Sequence, residues 1–541
     1  MPSTRRGPVS RRRLPTIALL VALGWASFSI GQSTRKTSSS FQVVEATIDE
    51  IHGAFKSGKL TAHQLVQDYL DRIEAYDKNG PKINSIITLN PSALAEADRL
   101  DEQYKKSGFV GPLHGIPVLV KDEIDAAGMP TTLGSVVFRD YRPPLDSFVV
   151  AKLRKAGAIL LGKTTLSEFA AGDTYGSMFG VTRNPYDLER TVGGSSGGSG
   201  AATAANFSAV AIGEETFASI RRPGSWNDVT SMRPTAGLVS RTGMYDGYPS
   251  EAASMGPMAR TVRDLAQLLD VMVGYDPEDP LTALGIGQVP QRGYTNSLDK
   301  DGLKGARIGI LRESIGVASE PKSEDFKKVD AVFEKNVNEL KAAGATVIDS
   351  MVIPGLKELQ TRRAGNSAIS EEALKVWLAR NPISPFKSRQ DIQKSQDIDK
   401  IFPPTKAAQW KSTPGPPDLA SYGEYLAARQ QLMINLLKVM ADNRLDAIVH
   451  KSVEHQPTLI EEGTRPPYPT NKGVPVLNTF LVYVPSITVP SGFTTDKLPT
   501  GITFLGRPYS EATMLKLAYS YEQYTHHRIP PKTTPPLPAP K

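Results

Sequence analysis

A lysine and two serines are the residues of this sequence best placed to do chemistry together. Lys121 ends an apolar run, Val118-Leu119-Val120-Lys121-Asp122. Ser195 lies in a glycine-serine stretch, Gly193-Gly194-Ser195-Ser196-Gly197-Gly198, and Ser219 opens Ser219-Ile220-Arg221-Arg222-Pro223. A serine hydroxyl is a weak nucleophile and needs a base beside it. Lysine serves as that base when neutral, and burial favours the neutral amine because a low dielectric penalises charge. The three apolar, β-prone residues before Lys121 predict that it ends a buried strand. Ser195 could then pass a proton between Lys121 and Ser219. The oxyanion of an acyl transfer needs N–H donors, and a sharp glycine-rich turn supplies them. No histidine takes part in this arrangement.

Each piece also has an ordinary reading. Lysine after a strand is usually solvated. A Gly-Gly-Ser-Ser-Gly-Gly stretch is more often a flexible linker or a phosphate-holding loop. The alanine-rich run Ala201-Ala202-Thr203-Ala204-Ala205 follows at once and argues for a helix instead of a linker. No lysine follows the glycines directly, as a phosphate loop would require. Specificity comes only from the ordered combination.

Flanking blocks extend that combination. They are His114-Gly115-Ile116-Pro117, then Gly157-Ala158-Ile159-Leu160-Leu161-Gly162-Lys163-Thr164, Ser167-Glu168-Phe169 and Asn184-Pro185-Tyr186. After the serines come Arg233-Pro234-Thr235-Ala236-Gly237-Leu238, Gly256-Pro257-Met258-Ala259-Arg260-Thr261, Pro485-Ser486-Ile487-Thr488-Val489-Pro490-Ser491-Gly492 and Pro499-Thr500-Gly501. With these blocks the chain resembles the amidase signature enzymes from about Phe41 to Arg528, with fungal amidases the nearest likeness. Fatty acid amide hydrolase and the A subunit of glutamyl-tRNA amidotransferase are more distant relatives.

The resemblance implies an α/β fold: a large mixed, mainly parallel sheet covered on both faces by helices. It implies hydrolysis of a small or medium carboxamide, a linear non-peptide C–N bond, without cofactor or metal. Ser219 would be the acylated nucleophile, Ser195 the middle serine with a cis peptide bond, and Lys121 the base. Ser196 would support the same network. Thr216, Phe217, Ala218 and Ser219 would form the oxyanion loop, and Phe169 would lie near the substrate with Ser195. A place in a metabolite biosynthetic pathway is compatible with this reading.

One segment departs from the family's Gly-Thr-Asp-Thr-Gly-Gly-Ser. Here it reads Gly213-Glu214-Glu215-Thr216-Phe217-Ala218-Ser219. If either former glycine needs a positive φ, its side chain costs roughly 1–2 kcal/mol. Loss of one oxyanion donor lowers turnover by about 10²–10³. An alternative therefore stays open: a catalytically impaired relative that binds a ligand or assists a pathway.

Composition agrees with a folded enzyme. The 541 residues are 40% hydrophobic, and the formal charge is +7. Arg5, Arg6, Arg11, Arg12 and Arg13 supply five of those charges before the resemblance begins, so nucleic acid is not expected as a partner. Arg11-Arg12-Arg13, the apolar stretch from Leu14 to Trp25 and the small residues up to Gly31 have the layout of a signal peptide. Residues 1–31 are read as that signal, or as an uncleaved anchor that would give membrane contact. The expected location is secreted or within the secretory lumen, which disfavours a component of an amidotransferase. There is no cysteine, so disulfides and cysteine catalysis are excluded. A homodimer stays open.

The elements that must position the site are partly readable. Ile48, Ile51 and Phe55, then Leu65, Tyr69 and Ile73, have helical spacing, with Thr61 as an N-cap. Strands are predicted over 305–311 and 345–348 with a helix over about 323–343 between them, a β-α-β unit. The polar, proline-rich region 382–417 reads as an insertion or cover over the substrate channel. Residues 529–541 read as a proline-rich disordered tail. His450 and His455 read as pocket-lining or structural, and the Asn206-Phe207-Ser208 sequon as close to the core.

Overall fold

The computed structural model describes residues 41–538. The candidate signal segment, residues 1–31, lies outside the described residues.

The first helices form where the apolar spacing and caps require them. Helix Ile48–Lys56 and helix Ala62–Arg72 each start at a threonine in a capping box, Thr47 with Glu50 and Thr61 with Gln64. Each box satisfies two otherwise orphaned N–H groups reciprocally. Ile48, Ile51, Phe55, Leu65 and Tyr69 are buried on the inward face.

Eleven strands build one sheet: β1 (Ile86–Leu89), β2 (Pro117–Lys121), β3 (Ile159–Thr164), β4 (Val210–Glu215), β5 (Thr230–Arg233), β6 (Ser254–Ala259), β7 (Arg307–Ile310), β8 (Thr346–Ile348), β9 (Ala447–Lys451), β10 (Ser486–Phe493) and β11 (Pro499–Leu505). Their order is β1-β3-β2-β4-β6-β5-β10-β11-β9-β7-β8. The sheet is mixed. Its parallel character is carried by two flanks, β3-β2-β4 and β9-β7-β8. The centre, from β4 through β9, is antiparallel. The expected β-α-β unit is β7, helix Glu324–Ala342 and β8, paired in parallel.

Strand β2 sits between two parallel neighbours, and all five of its residues are buried. A strand covered on both faces reads as a continuous apolar run, and that is why Val118-Leu119-Val120 precedes Lys121. Helix Gly197–Ala204 packs against the same part of the sheet with all eight residues buried. Its small side chains are required. A Cβ on Gly198 would lie 2.4 Å from Thr165 O, and one on Gly197 2.1 Å from Thr174 Oγ1.

The region 382–417 is a cover built from helices Arg389–Gln393 and Pro404–Lys411. With helix Ser367–Ala379 it buries an aromatic cluster that includes Phe138, Tyr141, Phe169, Trp377 and Trp410. The proline-rich segment expected to be disordered is packed on the domain as far as it is described. Arg72 donates to Thr534 O (2.8 Å) and Pro535 O (2.9 Å), Thr533 Oγ1 donates to Pro185 O (2.5 Å), and Thr534 is buried. The carbonyls of a proline-rich segment lack internal N–H partners, and here a buried arginine supplies the donors.

Candidate active site

Lys121, at the end of β2, is completely buried. Its Nζ lies 2.6 Å from Ser195 Oγ, 2.8 Å from Glu123 Oε1, 3.0 Å from Glu214 Oε2 and 3.4 Å from Glu214 O. The expectation that burial leaves this lysine neutral is overturned. Burial does pull the ammonium down, but the Glu123 and Glu214 carboxyls outweigh it and hold Lys121 above the ordinary lysine value. Burial pushes the Glu123 carboxyl far up; Lys121 opposes that, and Glu214 adds to it. The cluster is two buried acids sharing one cation.

The glycine-serine loop brings Ser195 to the lysine. The Gly194–Ser195 peptide bond is cis, as the resemblance implies. The loop is clamped from both sides. Arg222 donates to Gly194 O through Nε (3.1 Å) and Nη2 (2.8 Å), and its Nη1 pairs with Asp173 (2.8 Å). Ser167 N–H donates to Ser195 O (3.1 Å). A Cβ at Gly194 would stand 2.4 Å from both Gly172 O and Ser167 Oγ, so no larger residue fits there. Ser196 ties the loop to the end of β4: its Oγ donates to Glu214 O (3.0 Å) and accepts from Glu214 N–H (3.1 Å).

The segment after β4 carries Ser219. The carboxyl of Glu215 anchors it, accepting from Ile220 N–H (3.0 Å), Arg221 N–H (3.0 Å) and Arg221 Nε (2.8 Å). Burial raises that carboxyl, but Arg221, Arg233 and the two N–H groups hold it below the usual carboxylate value. Ser196 N–H donates to Ser219 O (3.0 Å), which keeps the two serine segments side by side. Among the described residues Ser219 Oγ has no hydrogen-bond partner, so the side-chain link from Ser195 to Ser219 is not closed in this structure. The N–H groups of Phe217, Ala218 and Ser219 also find no acceptor among the described residues.

Neither Phe217 nor Ala218 has a positive φ. The feared backbone strain is absent, because the segment turns without entering the left-handed region. Ala218 is buried among Trp226, Val453 and Val474, with Phe217 packed at the edge of that cluster. The Phe217 ring lies 4.8 Å from the Arg363 guanidinium carbon. Thr216 Oγ1 turns inward to donate to Glu214 Oε1 (2.8 Å).

Ser219, Glu123 and Glu214 open on a cavity of about 510 Å³, walled by Phe169, Phe217, Tyr245, Arg363, Lys406 and Trp410. Phe169 adopts a left-handed backbone (φ 54°), and its ring lies tilted 4.4 Å from that of Trp410, which the cover region supplies. Lys406, also from the cover, donates to Glu168 O (2.5 Å) and Ala171 O (2.8 Å), and burial pulls its ammonium down to about 8. Region 382–417 therefore covers this cavity and supplies part of the aromatic wall around Phe169.

Several site residues were not visible as such in the sequence: Glu123, Arg222, Tyr245, Asp246, Arg363 and Lys406. Glu214 did carry a signal, since it stands where the family's segment has threonine. His450 and His455 lie outside the cavity wall. His450 is buried beside β11 with its Nδ1 2.7 Å from Lys451 O, and burial lowers it to about 3. Asn206 is fully buried; its Nδ2 donates to Glu45 Oε1 (2.8 Å), so the sequon amide is occupied in the folded chain. Among the described residues no group of three or more His, Asp or Glu side chains is arranged to hold a metal ion.

The chain is similar to known proteins over most of its length. The sequence model of the Amidase family matches residues 64–515. The chain is 32% identical to a probable amidase of Arabidopsis thaliana, covering 93% of this chain and 95% of that one. It is 34% identical to the A subunit of glutamyl-tRNA(Gln) amidotransferase from Alkaliphilus metalliredigens, over 89% of this chain and 97% of that one. Among solved structures, the native peptide amidase of Stenotrophomonas maltophilia superposes with a TM-score of 0.79 at 33% identity, covering 90% of this chain and 99% of its own.

Proposed function

The chain belongs to the amidase signature family of amide hydrolases, and from that premise we propose that it cleaves a small or medium carboxamide through an acyl-Ser219 intermediate. The observation that carries this reading is the placement of Ser219. Its hydroxyl is unpartnered, opens on the 510 Å³ cavity and is tied by its own carbonyl to the loop that holds Ser195 against Lys121. Attack of Ser219 Oγ on the amide carbon forms the C–O bond and moves a proton to Ser195 and on towards Lys121. The oxygen of the tetrahedral intermediate gains negative charge. The unpaired N–H groups of Phe217, Ala218 and Ser219 are the donors at hand to receive it. Collapse breaks the C–N bond, the relay returns a proton to the leaving nitrogen, and water then hydrolyses the ester.

The test is labelling with a fluorophosphonate probe followed by peptide mass mapping. The expected result is a single phosphonylated serine, Ser219. A folded protein that takes no label at any pH, or labels elsewhere, would sink the reading.

The competing view of an impaired relative rested on Phe217 and Ala218. Both sit in backbone that any residue adopts, so restoring glycine releases no strain. We expect the Phe217→Gly, Ala218→Gly double variant to gain no activity. It should also lose about 1–3 kcal/mol through the vacated contacts. Denaturation midpoints and labelling rates report both. A labelling rate raised by about tenfold or more, the scale of a corrected oxyanion donor, would favour the impaired reading instead.

A further inference from the structure

The neighbours of Lys121 do not suit a lysine that works alone. An ammonium offers three protons, and four oxygens surround Nζ: Ser195 Oγ at 2.6 Å, Glu123 Oε1 at 2.8 Å, Glu214 Oε2 at 3.0 Å and Glu214 O at 3.4 Å. Glu123 is 0% exposed and Glu214 4% exposed. Two buried carboxyls beside one cation do not both ionise, because like charges in a low dielectric repel strongly. Their surroundings divide the roles. Glu214 is fully engaged as an acceptor, taking bonds from Lys121 Nζ and from Thr216 Oγ1 (2.8 Å). Neither oxygen of Glu123 accepts a hydrogen bond of ordinary geometry, although Oε1 touches the ammonium. Glu123 is the member suited to carry the extra proton.

We propose that the proton leaving Ser219 ends on the Glu214 carboxylate, with Lys121 as the conductor between Ser195 and Glu214 and with Glu123 protonated beside them. This rests on the acyl-Ser219 reading above. The step balances. One N–H bond of the Lys121 ammonium breaks as an O–H bond forms on Glu214 Oε2. The freed lone pair of Nζ takes the Ser195 hydroxyl proton, Ser195 takes that of Ser219, and Ser219 Oγ bonds to the acyl carbon. No electron is gained or lost overall. The cluster becomes one charge more positive while the substrate oxygen becomes one charge more negative. Reversal of the same path delivers the proton to the leaving nitrogen.

Most charged groups facing the cluster are paired or neutral, and Asp246 is the exception. Glu215 is neutralised by Arg221, and Asp122 by Lys163 at 3.0 Å on the neighbouring strand end. Arg233 is buried nearby, and Glu214 supports its charge. Tyr245 is pushed up by burial and stays neutral. Asp246 lines the same cavity as Glu214, and burial together with Glu214 raises it to about 7. It ionises around neutral pH, so through that range it adds negative charge near the cluster.

The two schemes differ in the pH at which Ser219 becomes reactive. With a carboxylate as the final acceptor, reactivity is complete at neutral pH and falls as pH drops through the cluster's carboxyl titration. With a neutral lysine as the base, reactivity climbs through the lysine titration, which these two carboxyls push above its ordinary value of about 10.4. The experiment is the second-order rate of fluorophosphonate labelling from pH 4 to 10 for wild type and for the Glu123→Gln, Glu214→Gln double variant. Wild type is expected to reach its plateau below about pH 7.5 and to fall about tenfold per unit at the acid end. At pH 6 the double variant, left with the lysine alone, should label at least about tenfold more slowly. A wild-type rate still climbing above pH 7.5, or a double variant that labels as fast as wild type at pH 6, overturns the proposal and leaves the acyl-Ser219 reading intact. Absence of label in wild type at every pH overturns both. If the double variant does not fold, the wild-type profile decides alone.

Discussion

Ser219→Ala is expected to lower kcat by about 10⁴–10⁶-fold, the loss seen when a nucleophile is removed from a relay that acts as a unit. Stability should stay within about 0.5 kcal/mol of wild type. The structural reason for that separation is plain. Ser219 Oγ has no hydrogen-bond partner among the described residues, so its removal strands no donor or acceptor. Everything that holds the segment belongs to other atoms: the Glu215 carboxyl on the Ile220 and Arg221 N–H groups, and the Ser196 N–H on the Ser219 carbonyl. Ammonia release from primary carboxamides and hydrolysis of anilides measure the activity, and urea denaturation measures the stability. Residual turnover within about tenfold of wild type would assign the nucleophile elsewhere, because no accessory serine carries so much of such a reaction. A large stability loss would mean that the hydroxyl has a structural partner instead of a free face.

The legible part of this site was the part written in local sequence. Lys121 was placed correctly because a strand buried on both faces leaves a continuous apolar run before it. Ser195 was placed by glycines that cannot be replaced: at Gly194 any Cβ collides with Gly172 O and Ser167 Oγ. The β-α-β unit from β7 to β8 was legible for a similar reason, since helical period and strand period alternate there. The antiparallel centre of the sheet was not. An apolar run reports that a strand is buried and says nothing of the sense in which its neighbours run. Nor does a sequence report φ, so Phe217 and Ala218 looked like damaged glycines until the backbone showed them outside the left-handed region. The tail misled through composition. Proline-rich segments usually lack partners, but Arg72, more than 460 positions earlier in the chain, donates to Thr534 O and Pro535 O. The largest gap concerned charge. Burial was foreseen for Lys121, whereas the two carboxyls that reverse its effect come from a turn and from the end of another strand. Only the fold brings both within 3.0 Å of one nitrogen.

That reversal makes Lys121→Met the most informative disruption of the protein, because it should cost both turnover and stability. Without the ammonium Ser195 loses its 2.6 Å partner, and activity should fall by about 10⁴-fold or more, as for other members of a cooperative relay. The stability effect has a separate origin. Removing the one cation between two buried carboxyls leaves them uncompensated, and breaking a buried pair in this way costs about 3–5 kcal/mol. The cost must also depend on pH with a definite sign. Burial already raises the Glu123 carboxyl, and without Lys121 it loses the partner that lowers it. A carboxyl raised in this way takes nothing from stability below its unfolded value. It removes stability progressively as pH climbs to the folded value, because the unfolded chain ionises first. Lys121→Met should therefore unfold at nearly the wild-type urea concentration at pH 4 and at a much lower one at pH 8. Adding Glu214→Gln should return most of the stability at pH 8 and none of the activity, which separates the electrostatic role of the lysine from its chemical one. Equal losses at pH 4 and pH 8 would show that the variant is damaged by packing, and that Glu123 and Glu214 do not depend on Lys121 for their burial.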